Sequence, residues 1–233
     1  MQKATNLLMA GTDATTIRRE LHEFLAGRKG NGSEGERRNQ TRTFVVNNLM
    51  KIWVAPDPEL TSFRDASLAF LREHPSTALA IHWGMISAVN PFWFNVARQT
   101  GRLLALQDQV TQTQIINRLK EQYGDRQTVS RDARYVIRSF VAWGVLKDSE
   151  AKGCYEKAAS VNIADSHLVI LMFESALLAI PEAKSAMGLL LNNPVFFPFQ
   201  LPAMAGDFVS QCCDRIDVVR HGLDDELLKL KGN

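Results

Sequence analysis

The 233-residue sequence predicts a mainly α protein, a helical bundle with a central winged helix-turn-helix that contains one short β-hairpin. Apolar residues recur at helical spacing along most of the chain, and only residues 145–147 and 154–157 have the composition of strands. A hydrophobic content of 45% and a charged content of 22% are typical of a globular protein. We predict three domains: an N-terminal helical domain at 1–108, the winged helix-turn-helix at 109–160 and a C-terminal helical cap at 161–233.

The first helices are recognised by their caps and breaks. Residues 12–27 predict an amphipathic helix with Thr12 or Asp13 as N-cap and Gly27 as its end. Residues 28–36, RKGNGSEGE, are rich in glycine and charge and predict a loop. Further helices are predicted at 37–53 and 60–73, since Pro56 and Pro58 separate them.

A stretch without any Asp, Glu, Lys or Arg follows at 75–97. Its length approaches the roughly 20 residues of a membrane helix. Asn90-Pro91 interrupts it, because proline cannot continue a helix and restricts the residue before it. We interpret the stretch as two buried helices that meet at this point, with His82 and Trp83 in or near the core, and we predict no membrane partner.

The C-terminal part is also predicted to be helical, at 164–179, 181–191, 206–220 and 224–229. Residues 192–204, NNPVFFPFQLPAM, cannot form a regular helix because they contain three prolines. The phenylalanines at 196–199 either fill a core or form a partner surface, and we favour the core.

The central segment has the element order of a winged helix-turn-helix. A helix at 114–123 ends at Gly124, and a second helix, capped by Thr128 or Ser130, runs to about residue 143. Two short strands at 145–147 and 154–158 are joined by the turn sequence DSEAKG.

The second helix of this segment has a basic face. At 100° per residue, three arginines and a tyrosine share one side and the apolar residues share the other. The basic side carries Arg131, Arg134, Tyr135 and Arg138. Lys147 and Lys152 follow in the hairpin, and residues 110–160 hold nine Lys or Arg against six Asp or Glu. Arginine can hydrogen-bond to phosphate or to a guanine edge, and lysine binds backbone phosphates. We therefore predict that double-stranded DNA binds here. A merely solvated face and a protein–protein module are the alternatives.

A second candidate nucleic-acid surface lies near the glycine-rich loop. Arg37, Arg38 and Arg42 accumulate beside it, and such a loop can become ordered on a phosphate backbone. A solvated helix end explains these arginines equally well.

No catalytic or metal-binding signature is found. The chain lacks GxxxxGK[ST], HExxH, GxSxG and paired CxxC motifs, so we predict no enzyme activity, no metal and no cofactor. Three cysteines without a spaced framework indicate a reducing compartment, which we take as the cytoplasm.

The organisation of residues 5–160 resembles the BrxA family of bacterial BREX phage-defence systems. The resemblance lies in a RELHEFL-type helix ending near Leu25, the helix RRNQTRTFVVNNLMKIW, the charge-poor ALAIHWGMISAVNPFWF and the central TQTQIINRLKEQYGDRQTVSRDARYVIRSFVAWGVLKD. It implies a helical, cytoplasmic, non-catalytic accessory protein that binds double-stranded DNA and works in antiviral defence with other defence-system subunits. A protein-interaction adaptor of a defence complex and an RNA-binding helical module remain the alternatives.

Overall fold

The structure, a computed structural model, describes residues 1–27, 39–221 and 225–232. The fold is mainly helical with a few short strands, as the sequence predicts. The chain divides into two compact units, Met1–Val89 and Asn90–Asn233. The three domains at 1–108, 109–160 and 161–233 stay a prediction.

The first unit is built from helices alone within its described residues. They are α1 Gln2–Met9, α2 Ala14–Ala26, α3 Asn39–Leu49, α4 Thr61–Glu73 and α5 Ala78–Val89, with a π-helical turn at Met50–Val54 and 3₁₀ turns at Pro58–Leu60 and Pro75–Thr77. Asp13 caps α2, because its carboxylate accepts hydrogen bonds from the backbone N–H groups of Thr15 and Thr16, both at 3.0 Å. Ile17, Leu21 and Val46 are buried where α2 and α3 pack together. The predicted loop at 28–36 lies outside the described residues.

His82 lies in the core of this unit. Its side chain is 8% exposed and Trp83 is fully buried, so the predicted core position of both residues is confirmed. The imidazole meets the Trp53 ring edge-on with centroids 5.4 Å apart. Burial disfavours the charged imidazolium and lowers the pKa of His82 to about 3.

The first unit should therefore lose stability in mild acid. In the unfolded chain His82 binds a proton near its ordinary pKa of 6.5, whereas in the folded protein it does so only near 3. The free energy of unfolding is therefore unaffected by His82 above pH 6.5 and decreases as the pH falls from 6.5 towards 3. At pH 5, about 1.5 units below 6.5, the free energy of unfolding should be lower by about 2 kcal/mol, because each unit corresponds to about 1.4 kcal/mol. Urea unfolding of the wild type and of His82→Gln at pH 7 and pH 5 measures it, and the variant should lose much less. His74→Gln, at an exposed histidine, is the control and should behave like the wild type. Equal acid losses in wild type and His82→Gln would contradict the assignment.

The second unit mixes helices with short strands. In chain order it contains α6 Pro91–Leu104, β1 Gln109–Thr111, α7 Gln112–Tyr123, α8 Gln127–Ala142, β2 Leu146–Asp148, β3 Cys154–Lys157, β4 Val161–Asn162, α9 Ser166–Leu178, β5 Lys184–Ala186, α10 Met187–Leu191, β6 Phe199–Gln200, α11 Gly206–Cys212, β7 Ile216–His221 and β8 Asp225–Leu230, with a 3₁₀ turn at Pro194–Phe196. The Asn90 side chain caps α6 by accepting from the backbone N–H of Trp93 at 3.0 Å. The charge-poor stretch is therefore two helices that meet at Asn90-Pro91, as predicted. None of the helices in the described ranges is long and apolar enough to cross a membrane.

Aromatic rings join α6, α8 and the segment after α10. Phe140 of α8 is fully buried, and its ring packs edge-on against Trp93 of α6 at 5.2 Å and against Phe197 at 5.8 Å between centroids. Phe196, Phe197 and Phe199 are 3%, 8% and 7% exposed. The interpretation of these phenylalanines as a core plug is confirmed.

Three small sheets lie within the second unit's described residues. β3 lies between β1 and β2, β8 lies between β5 and β7, and both of these sheets are antiparallel, whereas β4 and β6 pair in parallel. The predicted helices at 206–220 and 224–229 are wrong, because α11 ends at Cys212 and β7 and β8 follow it. β-branched residues such as Ile216 and Val218 suit a strand, and the leucines of β8 are held in one by pairing on both sides. The predicted helix at 181–191 is likewise shortened to α10, because β5 pairs with β8.

An ion pair with a buried carboxylate connects α9 to Arg215, which immediately precedes β7. Glu174 is 2% exposed, and Arg215 donates to both of its carboxylate oxygens, at 2.7 Å from Nε and 2.8 Å from Nη2. This two-point geometry satisfies the only carboxylate of α9.

Candidate nucleic-acid interface

Two helices joined by a short turn support the candidate interface. Thr111 and Gln114 form a capping box at the start of α7, and Gly124, with φ of 81°, ends the helix in a conformation that favours glycine. The next helix, α8, begins at Gln127 with Arg126 as its N-cap. The predicted caps Thr128 and Ser130 are thus wrong, because the turn at 124–126 is only three residues long and the helix starts before them.

The four residues predicted for the face of α8 all lie on its exposed side. Arg131, Arg134, Tyr135 and Arg138 are exposed, with Tyr135 at 67%. The opposite side of α8 is buried, through Val129, Ala133, Ile137 and Phe140. Tertiary packing thus leaves this basic side open to solvent. Its contact with nucleic acid stays a prediction.

The hairpin follows α8 directly and carries the two predicted lysines. Lys147 lies on β2 opposite Glu156 of β3, and Lys152 lies in the connecting turn. Both lysines are exposed. The turn closes at Gly153, where φ is 78°.

Aspartates accompany two of the arginines on this face. Arg138 Nη1 lies 2.6 Å from Asp148 Oδ1 of β2, and Arg131 Nε lies 3.0 Å from the carboxylate of its neighbour Asp132. These hydrogen bonds and charges raise the pKa of both arginines above the ordinary value. Exposed ion pairs of this kind stabilise a fold only weakly.

A cleft opens between the end of α7 and the first turns of α8. Its volume is about 750 Å³, and its lining consists of Lys120, Asp125, Gln127, Ser130, Arg131 and Arg134. Lys120 Nζ lies 2.7 Å from Asp125 Oδ1. Within the described part of the chain, the guanidinium of Arg134 has no hydrogen-bond or ion-pair partner. Sequence reasoning missed Lys120 because it lies on the other helix, and no local pattern joins it to the arginines of α8.

The second candidate surface is described only at Arg42. This residue lies on α3 in the first unit and is half-buried, and among the described residues its enclosed Nε atom has no hydrogen-bond partner. Arg37 and Arg38 lie outside the described residues. The three arginines therefore remain a predicted surface.

The chemistry available on α8 and the hairpin is binding chemistry. The face offers guanidinium, ammonium and phenol donors, which hold phosphates and base edges. Among the described residues, no group of His, Cys, Asp or Glu side chains is arranged to hold a metal ion. The three cysteines, Cys154, Cys212 and Cys213, are free thiols.

Comparison of this chain with protein-family models, with curated proteins and with solved structures found no match.

Proposed function

We propose that the protein is a non-catalytic binder of double-stranded DNA and that residues 109–160 act as a winged helix-turn-helix. The order β1, α7, α8, β2, β3 and the strand sequence β1-β3-β2 support the motif. In this motif the second helix, α8, enters the major groove and the hairpin contacts the flanking backbone.

The exposed basic side of α8 carries the proposal. A helix of 16 residues is about 24 Å long at 1.5 Å per residue, and a major groove about 12 Å wide admits it. Arg131, Arg134 and Arg138 follow one another at spacings of three and four residues on its solvent side. Three guanidiniums along one groove can hold phosphates on both of its walls or reach a guanine edge.

The hairpin adds contacts beside the groove. Lys147 and Lys152 are both exposed, and lysine binds phosphate as a mobile point charge. Asp148, at the end of β2, weakens phosphate binding, because its carboxylate pairs with Arg138 and offsets the positive charge of that arginine. We infer that affinity for DNA is moderate and depends mainly on the backbone, with little sequence preference.

Replacing Arg131, Arg134 and Arg138 together with alanine should sharply weaken duplex binding. Each lost phosphate contact should lower the slope of log K against log salt by about 0.9. The measurement is fluorescence anisotropy of a short labelled duplex at several salt concentrations, with circular dichroism as the check on folding. Unchanged affinity and slope in a folded triple variant would exclude α8 as the DNA-binding element.

Two controls make this result specific. Asp148→Asn removes the acidic partner of Arg138 and should tighten duplex binding, whereas alanine at the exposed Lys184 of β5 should change nothing. Competition between duplex DNA and a structured RNA of equal length tests the RNA alternative, which requires the RNA to win.

The setting in a phage-defence assembly rests on the resemblance to the BrxA family. Neighbouring genes for a methyltransferase and a large ATPase are expected, and their absence would remove this part of the proposal. The adaptor alternative relied on the winged helix and on the phenylalanines at 196–199, and the burial of these phenylalanines removes them as a docking surface.

A further inference from the structure

The cleft between α7 and α8 combines residues from two helices and the turn between them. Lys120 comes from the last turn of α7, Asp125 from the turn, and Gln127, Ser130, Arg131 and Arg134 from the first two turns of α8. The three-residue connection at 124–126 is what brings Lys120 to the same cleft as the arginines.

Positive charge exceeds negative charge in this lining. Lys120, Arg131 and Arg134 face a single carboxylate, that of Asp125, which is engaged by Lys120 at 2.7 Å. Within the described ranges, Arg131 is hydrogen-bonded to Asp132 through Nε alone, so the two terminal nitrogens of its guanidinium remain available for an anion. The amide of Gln127 and the hydroxyl of Ser130 are further donors on the same wall.

We propose that this cleft binds one phosphate group, held jointly by Lys120, Arg131 and Arg134. The inference rests on the proposed function in one respect: the phosphate that occupies the cleft is a backbone phosphate of the bound duplex DNA. It adds Lys120, a residue of the first helix of the motif, to the arginines of α8. It also separates the role of Arg134 from that of Arg138, which lies outside the cleft and pairs with the hairpin.

The character of the lining favours phosphate over a nucleobase. A base is held by stacking on aromatic rings, and none of the described residues that line this cleft is aromatic. Its volume of about 750 Å³ exceeds what a single phosphate needs and leaves room for the attached sugars.

The first test uses pyrophosphate as the probe and does not require DNA. Its titration into the full chain, followed by the backbone amide resonances of residues 127–134, should give saturable shifts. Lys120→Ala/Arg134→Ala should weaken this binding by about tenfold or more, since hydrogen bonds between charged groups are the strong ones. Lys157→Ala, at an exposed lysine outside the cleft, is the matched control and should bind like the wild type. Absence of saturable shifts in the wild type would overturn the proposal.

The second test uses a duplex and the two single variants with their double variant. If Lys120 and Arg134 share one phosphate, the loss of affinity in the double variant is smaller than the product of the two single losses, because neighbouring groups on one ligand are coupled. The salt slope then falls by about one unit in the double variant rather than two. Multiplicative losses with a two-unit slope change would overturn the shared site and leave DNA binding itself intact. Pyrophosphate binding without any duplex binding would support the cleft, reject the proposed function and assign the site to a free phosphate compound.

Discussion

Replacing Gly101 with alanine is expected to destabilise the second unit severely. Gly101 lies on α6, and a Cβ atom there would come 1.9 Å from the carbonyl oxygen of Pro194 and 3.0 Å from the Cβ of Phe197. The first neighbour is backbone, so relief requires α6 and the 3₁₀ turn at Pro194–Phe196 to move apart. Overpacking of this kind costs about 3 kcal/mol or more, a large share of the roughly 5–15 kcal/mol that stabilises a typical domain. Thermal unfolding followed by circular dichroism should show a melting temperature lower by about 6 °C or more.

Gly188→Ala provides the matched control for this substitution. Gly188 lies on α10 in the same unit, and nothing lies within 4 Å of a Cβ built there. Alanine is the better helix former, so this variant should be as stable as the wild type or slightly more stable. A Gly101→Ala variant that melts with the wild type would show that α6 does not pack against Pro194 as described.

Replacing Arg215 with methionine should have the second large effect. The variant leaves the buried Glu174 carboxylate, 2% exposed, without the guanidinium that donates to both of its oxygens. Removing one partner of a buried pair typically costs about 3–5 kcal/mol. Urea unfolding at neutral pH measures the change.

Arg220→Met is the control that separates the effect of a buried carboxylate from the effect of removing an arginine. Arg220 pairs with Asp207 and Glu226, but its side chain is 58% exposed, and exposed pairs contribute at most about 1 kcal/mol. Glu174→Leu combined with Arg215→Met removes the stranded charge and should recover most of the loss. Equal losses for Arg215→Met and Arg220→Met would contradict a special role for the buried pair.

The helices of the second unit could be predicted where a local period decides the structure. The side of α8 that carries Arg131, Arg134 and Arg138 follows from 3.6 residues per turn, and the buried Ala133 and Ile137 opposite fix its direction. The end of α7 follows from Gly124, since few other residues adopt its positive φ. Such local signals needed no knowledge of the rest of the chain.

The strands at the end of the chain could not be predicted in this way. β5, Lys184–Ala186, has a sequence with no preference for strands and is extended because it pairs with β8, some 40 residues later. β8 contains three leucines, which favour helices in isolation, and pairing with β5 and β7 overrides that preference. Long-range pairing of this kind leaves no periodic trace in the sequence.

In the candidate site, too, the residues with local spacing could be predicted and those brought in by the fold could not. The arginines of α8 were found from their spacing, whereas Asp148 and Lys120 were missed as members of the site. Asp148 reaches Arg138 only because the hairpin folds back beside α8, and Lys120 reaches the cleft only because the turn at 124–126 is short. Charge counts along the sequence therefore overestimate how much of the positive charge is free of acidic partners.

The pairing of β1 with β3 has a thermodynamic consequence for any duplex that docks here. Gln109 pairs with Glu156, and Thr111 pairs with Cys154, so α7 and α8 lie in a stretch of chain whose two ends are hydrogen-bonded together. The helix and the hairpin are fixed relative to each other once the protein has folded. Their conformational entropy is lost in folding and not in association, which favours rapid docking without a reordering step. Any change of shape on docking then falls mainly to the duplex, so flexible pyrimidine–purine steps should bind better than stiff A-tracts.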